Sequence, residues 1–385
     1  MQIACYKLIT QEFMKKFLLP FFSIMLTACS THLPDKDIRM VVGTYTDTGN
    51  YGLYSFIFDE DTAYFKMLDS CKLTNPSYLT FSKDGKFIYT VNETADENAS
   101  VSALAFNYES GKFTLLNSEK TLGTDPCYIA TNGKVVVTAN YGGSMSVFPL
   151  EENGKLLPLS QLFEGTIGGP DTIRQNIPHI HCTEFSVDGN HLYATDFSAD
   201  RLLVYKVVEN GKWVEPLVTD DTGQLAIELD PDNGPRHIVF DKNGSHAYVI
   251  GELSGKITVL EKKDENFIIQ QVIEGDPSKG RGSADIHISP DGNFLYTSNR
   301  LINDGISIFK INPKTGGLTS VGYQNTGLHP RNFIISPNGK YLLCACRDSN
   351  EIHIFEINLT TGLLTDTDKR IKLPQPVCIK FSECK

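Results

Sequence analysis

The sequence predicts an all-β fold: a seven-bladed β-propeller of four-stranded antiparallel blades, its ring closed by a composite blade drawn from both chain ends. Three observations predict it. A strand–turn–strand phrase recurs along the chain at near-constant spacing, the mark of a repeat architecture. Two further strand-like runs follow each recurrence, and four strands in about 45–50 residues make one propeller blade. The first and last segments are each incomplete, in complementary ways.

The phrase is clearest in Phe81-Ser-Lys-Asp-Gly85, Phe185-Ser-Val-Asp-Gly189, Ile288-Ser-Pro-Asp-Gly292 and Ile335-Ser-Pro-Asn-Gly339, with weaker copies at Phe240-Asp-Lys-Asn-Gly244 and Thr131-Asn-Gly133. Asp-Gly or Asn-Gly between alternating apolar runs predicts a hairpin turn, because both residues tolerate positive φ. A short strand precedes each phrase and tends to begin with proline. These starts are Pro76, Pro126, Pro178, Pro235, Ala284 in the proline's place, Pro330 and Pro376, at intervals of 50, 52, 57, 49, 46 and 46. Later strands of a blade are exemplified by Arg201 to Val207 and Gly305 to Lys310. Glycine turns such as Lys314-Thr-Gly-Gly317 and Thr360-Thr-Gly362 lead to the outer strand. The last copy, Pro376 to Phe381, has a first strand and nothing after it, while the segment from Met40-Val-Val-Gly-Thr-Tyr45 has the later strands and no first one. Joined, they complete a seventh blade and leave few free sheet edges.

The propeller is assigned to residues 38–385. Ahead of it, Met14-Lys15-Lys16 is a basic start and Phe17 to Leu26 an apolar run of ten residues, too short to span a bilayer but suited to a secretory signal. The run ends in Leu26-Thr27-Ala28-Cys29, which looks like a bacterial lipobox. This predicts a signal peptide over 1–29, lipidation at Cys29, a polar linker over 30–37, and a lipid-anchored protein of the cell envelope. Were the signal reading wrong, the protein would be cytoplasmic.

Hydrophobic content of 41% and charged content of 21% are those of a soluble globular protein. A net charge of −11 argues against a nucleic-acid backbone as partner, while leaving room for a small anionic ligand on a local arginine cluster. Of nine cysteines, Cys5 precedes the lipobox and Cys29 belongs to it; no Cys-x-x-Cys spacing occurs among the rest. Cys71, Cys127, Cys182, Cys344, Cys346 and Cys378 lie in apolar strand patterns and read as small core hydrophobes.

Blades repeat around one axis, so a position carrying reactive groups in only some blades points to a site. The residue after each strand-opening proline is Ser77, Cys127, His179, Arg236, Asp285, Arg331 and Val377. Four adjacent blades carry ionisable groups there. The end of the second strand reads Tyr45, Glu93, Tyr141, Phe197, Glu252, Arg300 and Arg347, and the last three come from those same blades. His181 and His287 stand where the other blades have Leu79, Ile129, Ile238, Phe333 and Ile379. Any one of these arginines would ordinarily be a surface ion pair, and a lone buried histidine a satisfied core residue; their clustering in adjacent blades favours one pocket. His179 and His181 share a strand face, yet no third ligand has a recognisable spacing, so no metal or other cofactor is expected. Nucleophile-elbow, His-Glu-x-x-His, P-loop and Rossmann motifs are absent from the sequence. What remains is acid–base work by His and Glu, with arginine stabilising negative charge.

Taken together, Asn75-Pro-Ser-Tyr-Leu79, Ala139-Asn-Tyr-Gly-Gly143, Arg174-Gln-Asn-Ile-Pro-His-Ile-His181, Gly234-Pro-Arg-His237, Glu252-Leu253, Ser283-Ala-Asp-Ile-His287, Ser298-Asn-Arg300 and His329-Pro-Arg-Asn332 resemble the seven-bladed propeller lactonases. That family includes 6-phosphogluconolactonases and a carboxymuconate lactonising enzyme. The resemblance covers residues 38–382 and implies a site at His181 (or His179), Arg236, Glu252 and Arg300. One departure is Gly251, where the family tends to have asparagine before the glutamate. The expected activity is hydrolysis of a sugar lactone. Glu252 or His181 would take a proton from water and Arg236 would stabilise the oxyanion. His179, His287, Arg300, Arg331 and Arg347 would contact substrate. Two alternatives remain at this level: muconate cycloisomerisation by the same groups, and a non-catalytic envelope propeller that binds a glycan or protein.

Overall fold

The computed structural model describes residues 37–219, 223–264 and 266–382; the lipobox Cys29 and its signal lie outside them. Among the described residues no helix is long and apolar enough to cross a membrane. Seven antiparallel sheets of four strands succeed one another along the chain. In blade 1 the C-terminal strand Pro376–Phe381 is innermost, followed outward by Asp37–Thr44, Gly52–Asp59 and Phe65–Lys72. Its seam is set by the pairs Met40↔Phe381 and Val42↔Ile379, so the composite blade is formed as the two chain ends predict. Blades 2 to 7 each run from inner to outer strand in sequence order. Blade 4 adds a fifth strand, Ala226–Glu228, beside Arg201–Val208.

Each joint between neighbouring blades is tied by a side chain reaching the next blade's backbone. From blade 1 the buried Arg39 Nε donates to Tyr108 O at 2.6 Å. The next two ties are Asn117 to Leu156 O and Gln161 to Val214 O, both 2.8 Å. Thr195 donates to Arg236 O at 3.1 Å. Tyrosine hydroxyls of Tyr248, Tyr296 and Tyr341 then reach Gly316 O, Gly362 O and Asp61 O at 2.8–3.0 Å. Between these ties the second and third strands of each blade are buried on both faces, with Val137, Tyr248, Leu343 and Ile354 at 0% exposure. Stacked sheets bury both faces, so these strands read as continuous apolar runs rather than alternating ones.

The repeated turn differs in detail from expectation. Only its glycine has positive φ (Gly85 +66°, Gly189 +72°, Gly292 +76°, Gly339 +76°). The aspartate accepts a hydrogen bond from the serine two residues before it, as in Ser82 to Asp84 at 2.7 Å, and the Gly85 N–H closes on Ser82 O at 2.8 Å. The serine therefore acts as part of the turn, and Asp-Gly is not a two-residue loop with both φ positive.

Candidate active site

Strand pairing shows how the inner strands aim their side chains. In blade 5, Pro235 pairs with Gly251 and His237 with Ile250, leaving Arg236 as the extra residue of a β-bulge. The same break leaves out Cys127 in blade 3, His181 in blade 4 and Arg331 in blade 7. A bulge re-aims the side chain it inserts, and here it does so at equivalent points of several blades. This corrects the register counted from the prolines. His181, not His179, is the counterpart of Arg236, because Pro178 lies two residues early. His179 O accepts the Phe197 N–H at 2.9 Å just as Gly234 O accepts the Glu252 N–H at 2.8 Å. In blade 6, Asp285 is the counterpart of His237, since Ile288 and Phe240 both open the turn phrase and pair alike.

Glu252 is the centre of the cluster. It is 6% exposed. Its Oε2 accepts from Arg236 Nε at 2.9 Å and lies 3.2 Å from Arg300 Nη2, while its Oε1 accepts from Arg174 Nη2 at 2.6 Å. Burial alone would raise the carboxyl, but Arg300, Arg236 and Arg174 outweigh it and hold it at about 2. Glycine at 251 makes room for Asn233: a Cβ there would lie 2.6 Å from Asn233 Oδ1 and 2.5 Å from Ser254 Oγ.

The arginines differ in what they have left to offer. Every nitrogen of Arg300 is engaged, with Nε on Gly282 O, Nη1 on His329 Nε2 and Nη2 on Glu252 and Ser283 O. Arg347 pairs with Asp348 at 2.6 Å and bonds His329. Arg236 uses Nε on Glu252 and Nη1 on Ala284 O at 2.6 Å, and only Nη2 has no partner among the described residues. Arg331 has no hydrogen-bond or ion-pair partner among the described residues; its guanidinium lies 5.5 Å from the Tyr45 ring centroid. Burial opposes its charge, but Tyr45, Glu93 and Glu252 reverse the effect and shift it upward.

His181 is 4% exposed, and its Nδ1 is buried without a partner among the described residues. Burial, then Arg236, His237 and Arg331, push its imidazole well below 6.5, so it is neutral at physiological pH. His179 stacks on Tyr141, centroids 4.0 Å apart, and bonds Tyr141 O through Nδ1. The structure therefore brings His179, His181, Arg236, Glu252, Arg300 and Arg331 to one end of the channel, with Arg347 at its rim. His287 is elsewhere: it bonds Asp285 Oδ2 at 3.0 Å and lines a cleft between the turns of blades 5 and 6. Arg174, absent from the repeat register, arrives on the 165–178 segment between blades 3 and 4. Its signal was its place in the Arg174-to-His181 phrase. Beside the arginines a cleft of about 620 Å³ is lined by Tyr45, Asp47, Glu93, Asp125, Arg347 and Asp348 among others, so one side of the mouth is acidic and the other basic.

Residues 39–381 match the family model described as lactonase, 7-bladed beta-propeller. The chain is 35% identical over 353 residues to a 6-phosphogluconolactonase of Formosa agariphila, covering 89% of this chain and 97% of that one. It is 34% identical to a 6-phosphogluconolactonase of Bacillus subtilis, over 88% and 97% of the two chains. The solved structure of a periplasmic gluconolactonase from Pseudomonas aeruginosa superposes with a TM-score of 0.84 at 28% identity, covering 91% of this chain and all of that one. The match thus runs along nearly the whole propeller, and the chain belongs to the seven-bladed β-propeller lactonase family.

Proposed function

We propose that the protein hydrolyses a sugar lactone to its open-chain acid at the mouth that holds Glu252. The observation that carries this reading is a neutral, partly unsatisfied His181 in a cluster where Arg236 and Arg331 keep free N–H donors. Water adds to the ring carbonyl carbon while His181 takes its proton. Negative charge developing on the carbonyl oxygen meets Arg236 Nη2 and Arg331, and such pre-aimed donors are worth several kcal/mol in a desolvated site, about 10²–10³ in rate per donor. The ring C–O bond then breaks, the imidazolium returns its proton to the leaving alkoxide, and the product is a hydroxy acid. Glu252, held at about 2, is too weak a base at neutral pH for the first step. Its part is to fix three guanidiniums. Acid–base assistance of this kind contributes roughly 10²–10⁴-fold.

6-Phosphogluconolactone and unphosphorylated gluconolactone are the substrates to compare, given the names carried by the relatives. The lipobox at Cys29 and the likeness to a periplasmic enzyme support a lipid-anchored location in the envelope. The decisive variants are His181→Ala and Glu252→Gln in an acid-release assay. Both should lower kcat by about 10² or more. Turnover unchanged in both contradicts the mechanism, and no turnover of either lactone by the wild-type chain favours a binding propeller instead.

A further inference from the structure

Beneath the mouth lies a second layer of buried side chains: Tyr78, Tyr128, Cys182, His237, Asp285, Asn332 and Cys378 occupy equivalent positions, counted from the turn phrase. Within it we infer that Asp285 and His237 are positioning residues, which act through Arg236 to keep its Nη2 available to the substrate. Asp285 is 1% exposed and touches neither Arg236 nor Glu252 by any hydrogen bond among the described residues. It collects five donors instead: His237 Nδ1 at 2.7 Å, Ile286 N at 3.0 Å, His287 Nε2 at 3.0 Å, Asn332 Nδ2 at 2.5 Å and Phe333 N at 3.2 Å. A carboxylate so supplied stays ionised: burial would raise it, but His287 and His237 hold it well below the usual range.

The directionality of the line follows from hydrogen-bond chemistry. Arginine has donors and no acceptor. The 3.1 Å contact between Arg236 Nη1 and His237 Nε2 therefore requires Nε2 to accept. The single proton of the neutral ring must then sit on Nδ1, where Asp285 receives it. Burial and the neighbouring Arg236 lower His237 to about 4, so the ring stays neutral and the tautomer matters. Tyr78 and Tyr128 meet the same ring edge-on at 5.7 and 5.0 Å, which holds its plane. Without Asp285 the other tautomer becomes accessible, and it would turn an N–H toward a guanidinium N–H. Arg236 would then lose one of the three contacts that set its orientation.

This inference rests on the lactonase reading, and its test separates the two. The variants are Asp285→Asn, His237→Leu and His237→Gln, assayed on the lactone that the wild-type chain turns over. Nitrogen-15 spectroscopy of the wild-type ring reports the tautomer. Asp285→Asn and His237→Leu should lower kcat about 10²-fold, the scale of a misplaced catalytic group, with KM within about threefold. His237→Gln, whose amide can accept from Arg236 and donate to Asp285, should recover most of the loss. The wild-type ring should be protonated at Nδ1. If Asp285→Asn does not fold, the Leu and Gln pair and the tautomer decide. Wild-type kcat in folded Leu and Asn variants, no recovery in Gln, or a ring protonated at Nε2 overturns the proposal and leaves the lactonase reading intact. A wild-type chain inactive on both lactones overturns the lactonase reading, and the positioning role of Asp285 with it.

Discussion

Arg236 and Arg331 occupy matching bulges two blades apart, yet their removal should leave different things behind. Arg331 has no partner to strand, so Arg331→Met should cut kcat about 10²–10³-fold as a lost oxyanion donor while the melting temperature stays within a degree or two of wild type. Arg236→Met leaves Glu252 buried with one fewer counter-charge, and breaking a buried pair costs about 3–5 kcal/mol, so activity and stability should fall together. The two shifted groups also set opposite expectations for pH. His181 lies well below 6.5, so the acid limb of kcat/KM should fall below pH 6.5, where an unperturbed histidine would already have titrated. Glu252 is lowered from 4.5 to about 2. The unfolded chain therefore binds the proton first, and stability supplied by Glu252 is present above pH 4.5 and lost as pH falls toward 2. Glu252→Gln should flatten that part of the stability curve in denaturant titrations.

At the scale of the element, the bulge, not the proline, aligns His181, Arg236 and Arg331. The repeat was legible because Ser-x-Asp-Gly turns and apolar runs recur in nearly every blade. That was enough to count seven blades and to find the composite one. Counting from the proline nevertheless misplaced His179 and Asp285, since Pro178 and Ala284 sit at different distances from their turns; counting back from the turn phrase aligns His181 with Arg236 and Asp285 with His237. His287 drew notice as a polar residue in an apolar row, but its Nε2 bonds Asp285 rather than facing the mouth. Arg174 escaped the register altogether because it is carried by the 165–178 segment, outside any repeat. Close approach explains Gly43: a Cβ there would sit 2.1 Å from Pro76 O, so Gly43→Val should separate blades 1 and 2 and lower the melting temperature by several degrees, as clashes at packed sites do.

For the whole molecule, closure is the structural condition on which the site depends. The strand Pro376–Phe381 covers the inner edge of blade 1 and buries Val377, Cys378 and Ile379, so a chain ending at residue 375 should lose its cooperative melting transition and aggregate through the exposed edge. The ring also gives the mouth two electrical halves. If the far end of the sugar lies over the cleft lined by Asp47, Glu93, Asp125 and Asp348, where Arg347 is the one lining cation, a phosphate there would meet net negative charge. Unphosphorylated gluconolactone should therefore show the lower KM, with the gap narrowing as salt rises from about 0.05 to 0.5 M. The most direct measurement of the central claim is acid release from gluconolactone and 6-phosphogluconolactone by the purified chain, read against the spontaneous rate in the same buffer. Hydrolysis of at least one lactone well above that rate, and its loss in His181→Ala, is the result expected. Rates indistinguishable from buffer for both lactones would contradict it.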